Sequence, residues 1–321
     1  MKQLTLVLFA MLSFSFTTIL SSPKNVAFGS EGNYTIPQWF RDNASLWLSG
    51  NMDDQQFMKQ VRQLAADPPP VLSNQTMPIH LIPKSRNCND TTFPHVDWSG
   101  CDYSGRNLKH ADLTGANLVG VNFTNSNLRK SYLLKAHLDY ANLSHTDITN
   151  ADLSFANMRH ASLVGVFGQY LNSPCANLTG SDLSKSYLEG SQFSLATLRN
   201  TKLENADLDH STIVGSDLSK ANATNANFEE AAMVGINFAE AYAVDADFKD
   251  TDLSGSNMTG INLSGANLEN AGLNNAVLVG ANLSFVNLNQ ADLAGANLQG
   301  ANLTGANLDC HNNAVCISGG Q

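Results

Sequence analysis

The chain has 321 residues, a formal net charge of −10, 43% hydrophobic residues and only 14% charged ones, against roughly 25% charged in an ordinary soluble domain. From Val96 to Cys310 there are 22 acidic and 11 basic residues, and a body of that sign repels nucleic-acid backbones, whose binding needs Lys and Arg. Direct DNA or RNA binding is therefore disfavoured, and low charge with abundant Asn, Leu, Ala, Gly and Ser points to internal repetition.

Residues 1–22 read as a secretory signal. Lys2 supplies a positive start, Leu4 to Phe16 a mainly apolar run, and Ser21 and Ser22 the small residues of a cleavage site. The run is too short for a membrane span, and no later run approaches its length. The mature chain is expected to be secreted or held at the cell surface, without a transmembrane span. Export favours disulfides among the five cysteines, because no CxxC pair suggests zinc. Cys88 and Cys101 straddle the start of the repeats, Cys310 and Cys316 flank its end, and Cys175 is left over.

Residues 23–67 predict a small α-helical hairpin. Thr35 caps a first helix with Pro37 in its first turn, and Trp39, Phe40, Ala44, Trp47 and Leu48 form its apolar stripe before Gly50. Asp53 and Gln56 make a capping box for a second helix carrying Phe57, Val61 and Leu64. Pro68, Pro69 and Pro70 stop it and open a linker over 68–95. The stretch IPQWFRDNASLWLSGNMDDQQF resembles a short module of secreted proteins of ammonia-oxidising archaea, which implies origin and export but no chemistry.

From residue 96 to residue 310 the chain advances in five-residue steps without losing register. Ala111-Asp112-Leu113-Thr114-Gly115 and Ala301-Asn302-Leu303-Thr304-Gly305 are examples. Taking the Leu as centre, 43 centres run from Trp98 to Leu308, and all but Gly168 and Ser173 are apolar. The positions two before them are nearly all small or β-branched. Neither a helix period nor strict alternation gives this pattern. It predicts a flat-sided coil with large centres on the axis, small residues beside them, and Asn or Asp before each centre facing water. Coils stacked at about 4.8 Å gain stability from their neighbours.

The pattern A-(D/N)-L-x-x resembles the pentapeptide-repeat family. That resemblance implies a right-handed quadrilateral β-helix, an all-β solenoid, with four steps per coil.

One segment departs from the pattern. Val166 to Cys175 (VFGQYLNSPC) lacks proper centres while filling two whole steps, inside an irregular stretch set at residues 165–175. This stretch is read as an irregular loop, because Gly168 and Pro174 disfavour strand pairing. Phe167, Tyr170 and Leu171 would then form an apolar knob or fold back onto the wall. Ala223 and Ala243, twenty residues apart, are undersized centres among Phe228, Phe238 and Phe248, so large rings should fill the space they leave. Residues 311–321 are expected to cap the last coil, held by a Cys310–Cys316 bond.

No catalytic constellation emerges, and the chain is read as non-enzymatic. The eight histidines show no HExxH spacing and the chain has no Gly-x-Ser-x-Gly elbow. At the coil spacing one surface column reads Glu189, Asp209, Glu229, Lys249, Glu269, and the same side adds Asp207, Glu230, Asp247 and Asp250. Stacked carboxylates invite Ca²⁺ or a cationic partner, although a flat ladder suits calcium poorly; a merely solubilising face is the plainer reading. Asn-x-Ser/Thr sequons at Asn33, Asn43, Asn74 and Asn89 make the chain a glycoprotein candidate. Inside the repeats A-N-L-S/T creates such motifs automatically. The expected function is a binding scaffold presenting an acidic wall to a protein or cell-envelope component. The alternatives are a DNA-mimic inhibitor of a DNA-binding enzyme, and a structural filler without a specific ligand.

Overall fold

Each five-residue step builds one side and one corner. The residue two before a centre donates its N–H back to the previous centre, as Cys101 N does to Trp98 O (3.0 Å). The residue two after each centre has positive φ at every step from His95 to Gly305, between 53° and 73°. A hydrogen-bonded turn with positive φ at its third residue is the type II signature. Sixteen of these corners are Gly and 27 are not. The computed structural model describes Cys88 and residues 92–316. The signal peptide, the helical hairpin, nearly all the linker and the tail beyond Cys316 lie outside the described residues.

Parallel bridges join each residue before a centre to the one twenty later, from Asp97↔Asn117 to Asn287↔Asn307. Four steps therefore make one coil, and the solenoid has four sides. Side 1 carries the centres Trp98, Leu118 and onward by twenties; side 2 starts at Tyr103, side 3 at Leu108 and side 4 at Leu113. Three backbone bonds per step tie adjacent coils, for instance Leu118 N to His137 O (2.7 Å), Gly120 N to Asp139 O (2.9 Å) and Asn117 N to Val96 O (2.9 Å). The N–H just after the centre takes no part in this ladder. The Asn or Asp before the centre accepts it instead, as Asp112 Oδ1 does from Thr114 N (3.1 Å). That residue is thus a turn-former as well as a water-facing one.

The core is the stack of centres with the small residues beside them. Leu113, Leu118, Phe123, Ala116 and their equivalents are fully buried, each large centre contributing about 1.5–3 kcal/mol of gross burial. Phe228 and Phe248 stack at 5.0 Å on side 3, and Phe238 meets them edge-on at 6.4 and 6.3 Å. Ala223 and Ala243 lie buried among these rings, the compensation their size predicts.

Residues 166–175 form no loop. Phe167 bridges to Asp147 and Tyr187, Asn172 bridges to Asp152 and Gln192, and both steps keep the ladder. Two local features make this work. Pro174 sits first after the centre Ser173, where the ladder needs no N–H and where type II turns favour Pro; its carbonyl still accepts from Phe155 N (3.0 Å). Leu171, at a position elsewhere mostly small or β-branched, is 1% exposed and fills the interior that Gly168 and Ser173 leave. Leu188 Cδ2 and Ile148 also close over Gly168, where a Cβ would stand 2.8 Å from the former. The knob is therefore reduced to Phe167 and Tyr170, which remain exposed.

Both ends are fastened. Cys88 and Cys101 form a disulfide, and Tyr103 Oη donates to Cys88 O (2.8 Å) while its ring stacks on Trp98 at 4.1 Å. At the far end Asp292 pairs with His311, one residue short of the usual interval. The Cys310–Cys316 disulfide closes the turn that follows. Asn313 Nδ2 donates to Leu293 O and Ala296 O (both 3.2 Å), satisfying carbonyls at the end of the stack. Val315 and Cys316 pack on the core, while Leu298, Leu303 and Leu308 stay only partly buried.

Candidate functional site

Side 3 collects all the acidic residues singled out from the sequence. Asp207 and Asp247 stand before their centres, alternating with Asn227 and Asn267. Asn227 Nδ2 donates to Asp207 Oδ1 (3.0 Å), and Asn267 Nδ2 to Asp247 Oδ1 (3.0 Å). The alternation keeps these carboxylates two coils apart with an amide donor between them. Glu189, Asp209, Glu229, Lys249 and Glu269 form the next column, and Glu230 and Asp250 stand at the corner.

Much of the repulsion in this cluster is offset from within. Lys249 Nζ lies 2.7 Å from Glu229 Oε1 and 3.2 Å from Asp250 Oδ2. The hydrogen bonds to Glu229 and then Asp250 hold the Lys249 ammonium above its ordinary range. Asp250 is held below the usual carboxylate range, first by Asn270 and then by Lys249. His210 bridges Asp209 (2.6 Å) and Glu230 (3.3 Å); the bond to Asp209, then its charge, raises the imidazole pKa. Among the described residues no group of three or more His, Cys, Asp or Glu converges as a metal site. The ladder spreads its oxygens along a flat wall, whereas calcium wraps itself in six to eight.

Two features of side 3 escape a motif-by-motif reading. The first is segregation of charge along the axis: residues 96–200 hold 8 acidic and 8 basic residues, and residues 201–310 hold 14 and 3. Side 3 itself starts with Lys109, His110, Arg129 and Lys130 before turning acidic. The second is an aromatic band between the two. Phe167 and Tyr187 stack in parallel, 5.3 Å apart and 3° from coplanar orientation, and Tyr170 stands beside them at the corner. All three are exposed, at 44%, 47% and 57%. Tabulating surface positions by column, in steps of twenty, would have found both.

The other sides differ. The repeat sequons at Asn122, Asn142, Asn222, Asn262, Asn282 and Asn302 all fall on side 2, and those at Asn177 and Asn257 on side 1. Sides 3 and 4 have none. Asn302 Nδ2 donates to Asn282 Oδ1 (3.1 Å) and Asn282 Nδ2 to Asn262 Oδ1 (2.9 Å), an amide ladder along side 2. Cys175 is unpaired, and burial pushes its thiol up to about 11, away from reactive thiolate. A depression bordered by Lys220, Glu240 and Tyr242 is open to solvent, with Lys220 and Glu240 paired across it at 3.4 Å. Among the described residues no helix is long and apolar enough to cross a membrane.

Comparison with protein-family models agrees with the repeat read from the sequence. The family model for pentapeptide repeats matches 8 copies, over residues 87–165 and 176–309. The gap coincides with the segment whose sequence departs from the pattern while its backbone does not. Among solved structures, the chain is 26% identical to HetL, a pentapeptide repeat protein involved in heterocyst differentiation regulation in the cyanobacterium Nostoc, covering 69% of this chain and 91% of that one with a TM-score of 0.40. It is 18% identical to QnrB1, a plasmid-mediated fluoroquinolone resistance protein, over 66% and 90% of the two chains with a TM-score of 0.33. Rfr23 from the cyanobacterium Cyanothece is 36% identical over 30% and 64%, with a TM-score of 0.22. No curated protein sequence matches.

Proposed function

The chain belongs to the pentapeptide-repeat family, and from that premise we propose that it is an exported, non-enzymatic scaffold whose third side binds a cationic protein or cell-envelope component. The observation that carries this reading is the acidic stretch of side 3 from Glu189 to Glu269, standing on a regular backbone with an aromatic band at its edge. Flat ladders give a partner many equivalent contacts at the coil spacing. Complementary charge on such a surface steers association and fixes register. The apolar segment over Leu4 to Phe16 supports export, and the right-handed coil of the family completes the picture.

Cell fractionation followed by crosslinking tests the proposal. The chain should be recovered outside the cytoplasm, with crosslinked neighbours that are lost when Glu229, Glu230 and Asp247 are changed to their amides. Recovery from the cytoplasm would overturn export, and unchanged neighbours in the neutralised variant would overturn the role of side 3.

A second reading, mimicry of DNA, has one observation in its favour. Residues 201–310 carry a net −11 over a length of about 26 Å at the coil spacing, within twofold of the DNA value of about one charge per 1.7 Å. That charge is spread over four sides, and mimicry requires a target in the same compartment. Inhibition of a topoisomerase by the purified protein would favour it over the scaffold.

A further inference from the structure

Residues whose numbers differ by a multiple of twenty share a column, so Arg129 and Glu229 lie in one column of side 3, and Lys130 and Glu230 in the adjacent one. Each pair is five coils apart, and both midpoints fall between the coils of Gly168 and Leu188. That is the middle of the aromatic band of Phe167, Tyr170 and Tyr187. A two-fold axis lying across side 3 at this point, in the plane of contact and perpendicular to the solenoid axis, reverses the order of coils and keeps each column opposite itself.

We infer that the chain pairs with a second copy of itself, antiparallel, through side 3. The operation sets Arg129 against Glu229 of the partner subunit and Lys130 against Glu230 of the partner subunit, each contact made twice as an isologous interface requires. Phe167 meets the partner's Tyr187, and Tyr170 meets the corner at the partner's Gly190, over which the partner's Tyr170 ring already lies, so the two Tyr170 rings come together beside the axis. His110 faces the partner's Asp250. Two juxtapositions are like-charged, and both are cushioned. Lys109 faces the partner's Lys249, which Glu229 and Asp250 neutralise. Asp147 faces the partner's Asp207, and Arg129 already holds Asp147 at 3.2 Å. The absence of sequons from side 3 leaves it clear of any glycan. The contact from Lys109 to Asp250 spans about 34 Å of flat wall at the coil spacing, at the small end of specific interfaces, so the association is weak and salt-sensitive. The inference rests on the reading of side 3 as a binding wall and names a partner for it.

Sedimentation of the full chain over a concentration series, at low and high ionic strength, reads the pairing. A dimer that weakens with salt is expected. Lys130→Glu alone and Glu230→Lys alone should each weaken it by about tenfold or more, since each creates two like-charged contacts. The two variants mixed should associate again, because every contact in the mixed pair is once more opposite in sign. Circular dichroism of both variants controls for folding. A monomer at all concentrations, or a dimer indifferent to both substitutions, would overturn the pairing. A monomer that still crosslinks to an envelope component through side 3 would overturn the pairing alone and leave the scaffold reading standing.

Discussion

The ring of Tyr170 lies over the corner at Gly190, one coil on, so closely that a Cβ there would stand 2.7 Å from Cε1. The same relation joins His95 to Gly115, His145 to Gly165, His160 to Gly180 and Phe285 to Gly305. At these corners a ring leans onto a glycine of the next coil, where no side chain meets it; where the next corner carries a ring of its own, as at Tyr140 and His160, the two stack at 5.3 Å instead.

Gly190→Ala should therefore cost about 3 kcal/mol, combining overpacking with positive φ. Gly120→Ala has the same φ class but nothing within 4 Å of its Cβ, so about 1 kcal/mol is expected. Adding Tyr170→Ala to Gly190→Ala should recover most of the difference. Urea denaturation of the three variants checks this; equal losses at the two glycines would refute the ring-over-glycine account.

Leu218→Asp should destabilise by roughly 4 kcal/mol or more, because Leu218 is fully buried and an isolated charge there has no partner. Asp217→Ala should cost only about 1 kcal/mol. It removes bonds from Ser219 N (3.0 Å) and Asn237 Nδ2 (2.9 Å) on a half-exposed surface. Similar denaturation midpoints for the two variants would mean that inward and outward positions had been exchanged.

His210 supplies a pH-dependent contribution of known sign. Its folded-state pKa is raised, by Asp209 first, so the protonated form is favoured in the folded chain. The stability it adds is complete below its unfolded value, about 6.5, and disappears as pH rises through the higher folded value. NMR titration should place its midpoint above 6.5 and bring it down in Asp209→Asn. An unchanged midpoint in that variant would show that the bond does not act in solution.

The Cys310–Cys316 bond should protect the last coil more than the body. Cys316→Ser is expected to remove about 2–3 kcal/mol of local stability, read as faster amide exchange at Leu293 and Ala296, with exchange at Leu218 unchanged. Uniform acceleration along the chain would indicate instead that the solenoid opens as one unit.

The period and the inward centres are legible because each depends on spacing alone, and both disulfides because their cysteines bracket the two ends of the repeats. The regular course of residues 166–175 is not legible by residue type, because Gly168 and Pro174 both disfavour strand pairing. Their place in the step decides the outcome: Pro174 falls where no N–H is needed, and Leu171 fills the axis from a neighbouring position. The acidic column was visible at a spacing of twenty, but its internal neutralisation was not. Lys249 reaches back one coil to Glu229 and sideways to Asp250, and such reach depends on side-chain direction rather than on residue order.

The bridge interval of twenty also governs how such a chain can change in length. Inserting or duplicating one full coil leaves every corner, centre and surface column downstream in phase, so the body can lengthen or shorten by whole coils at little structural cost. Loss of a single residue inside the body would instead move each downstream centre off the axis. Among the described residues that one-residue shift occurs once, between Asp292 and His311, directly beneath the disulfide-closed turn. Placed there it closes the in-phase register of the described body, and duplication of a whole coil upstream leaves it untouched.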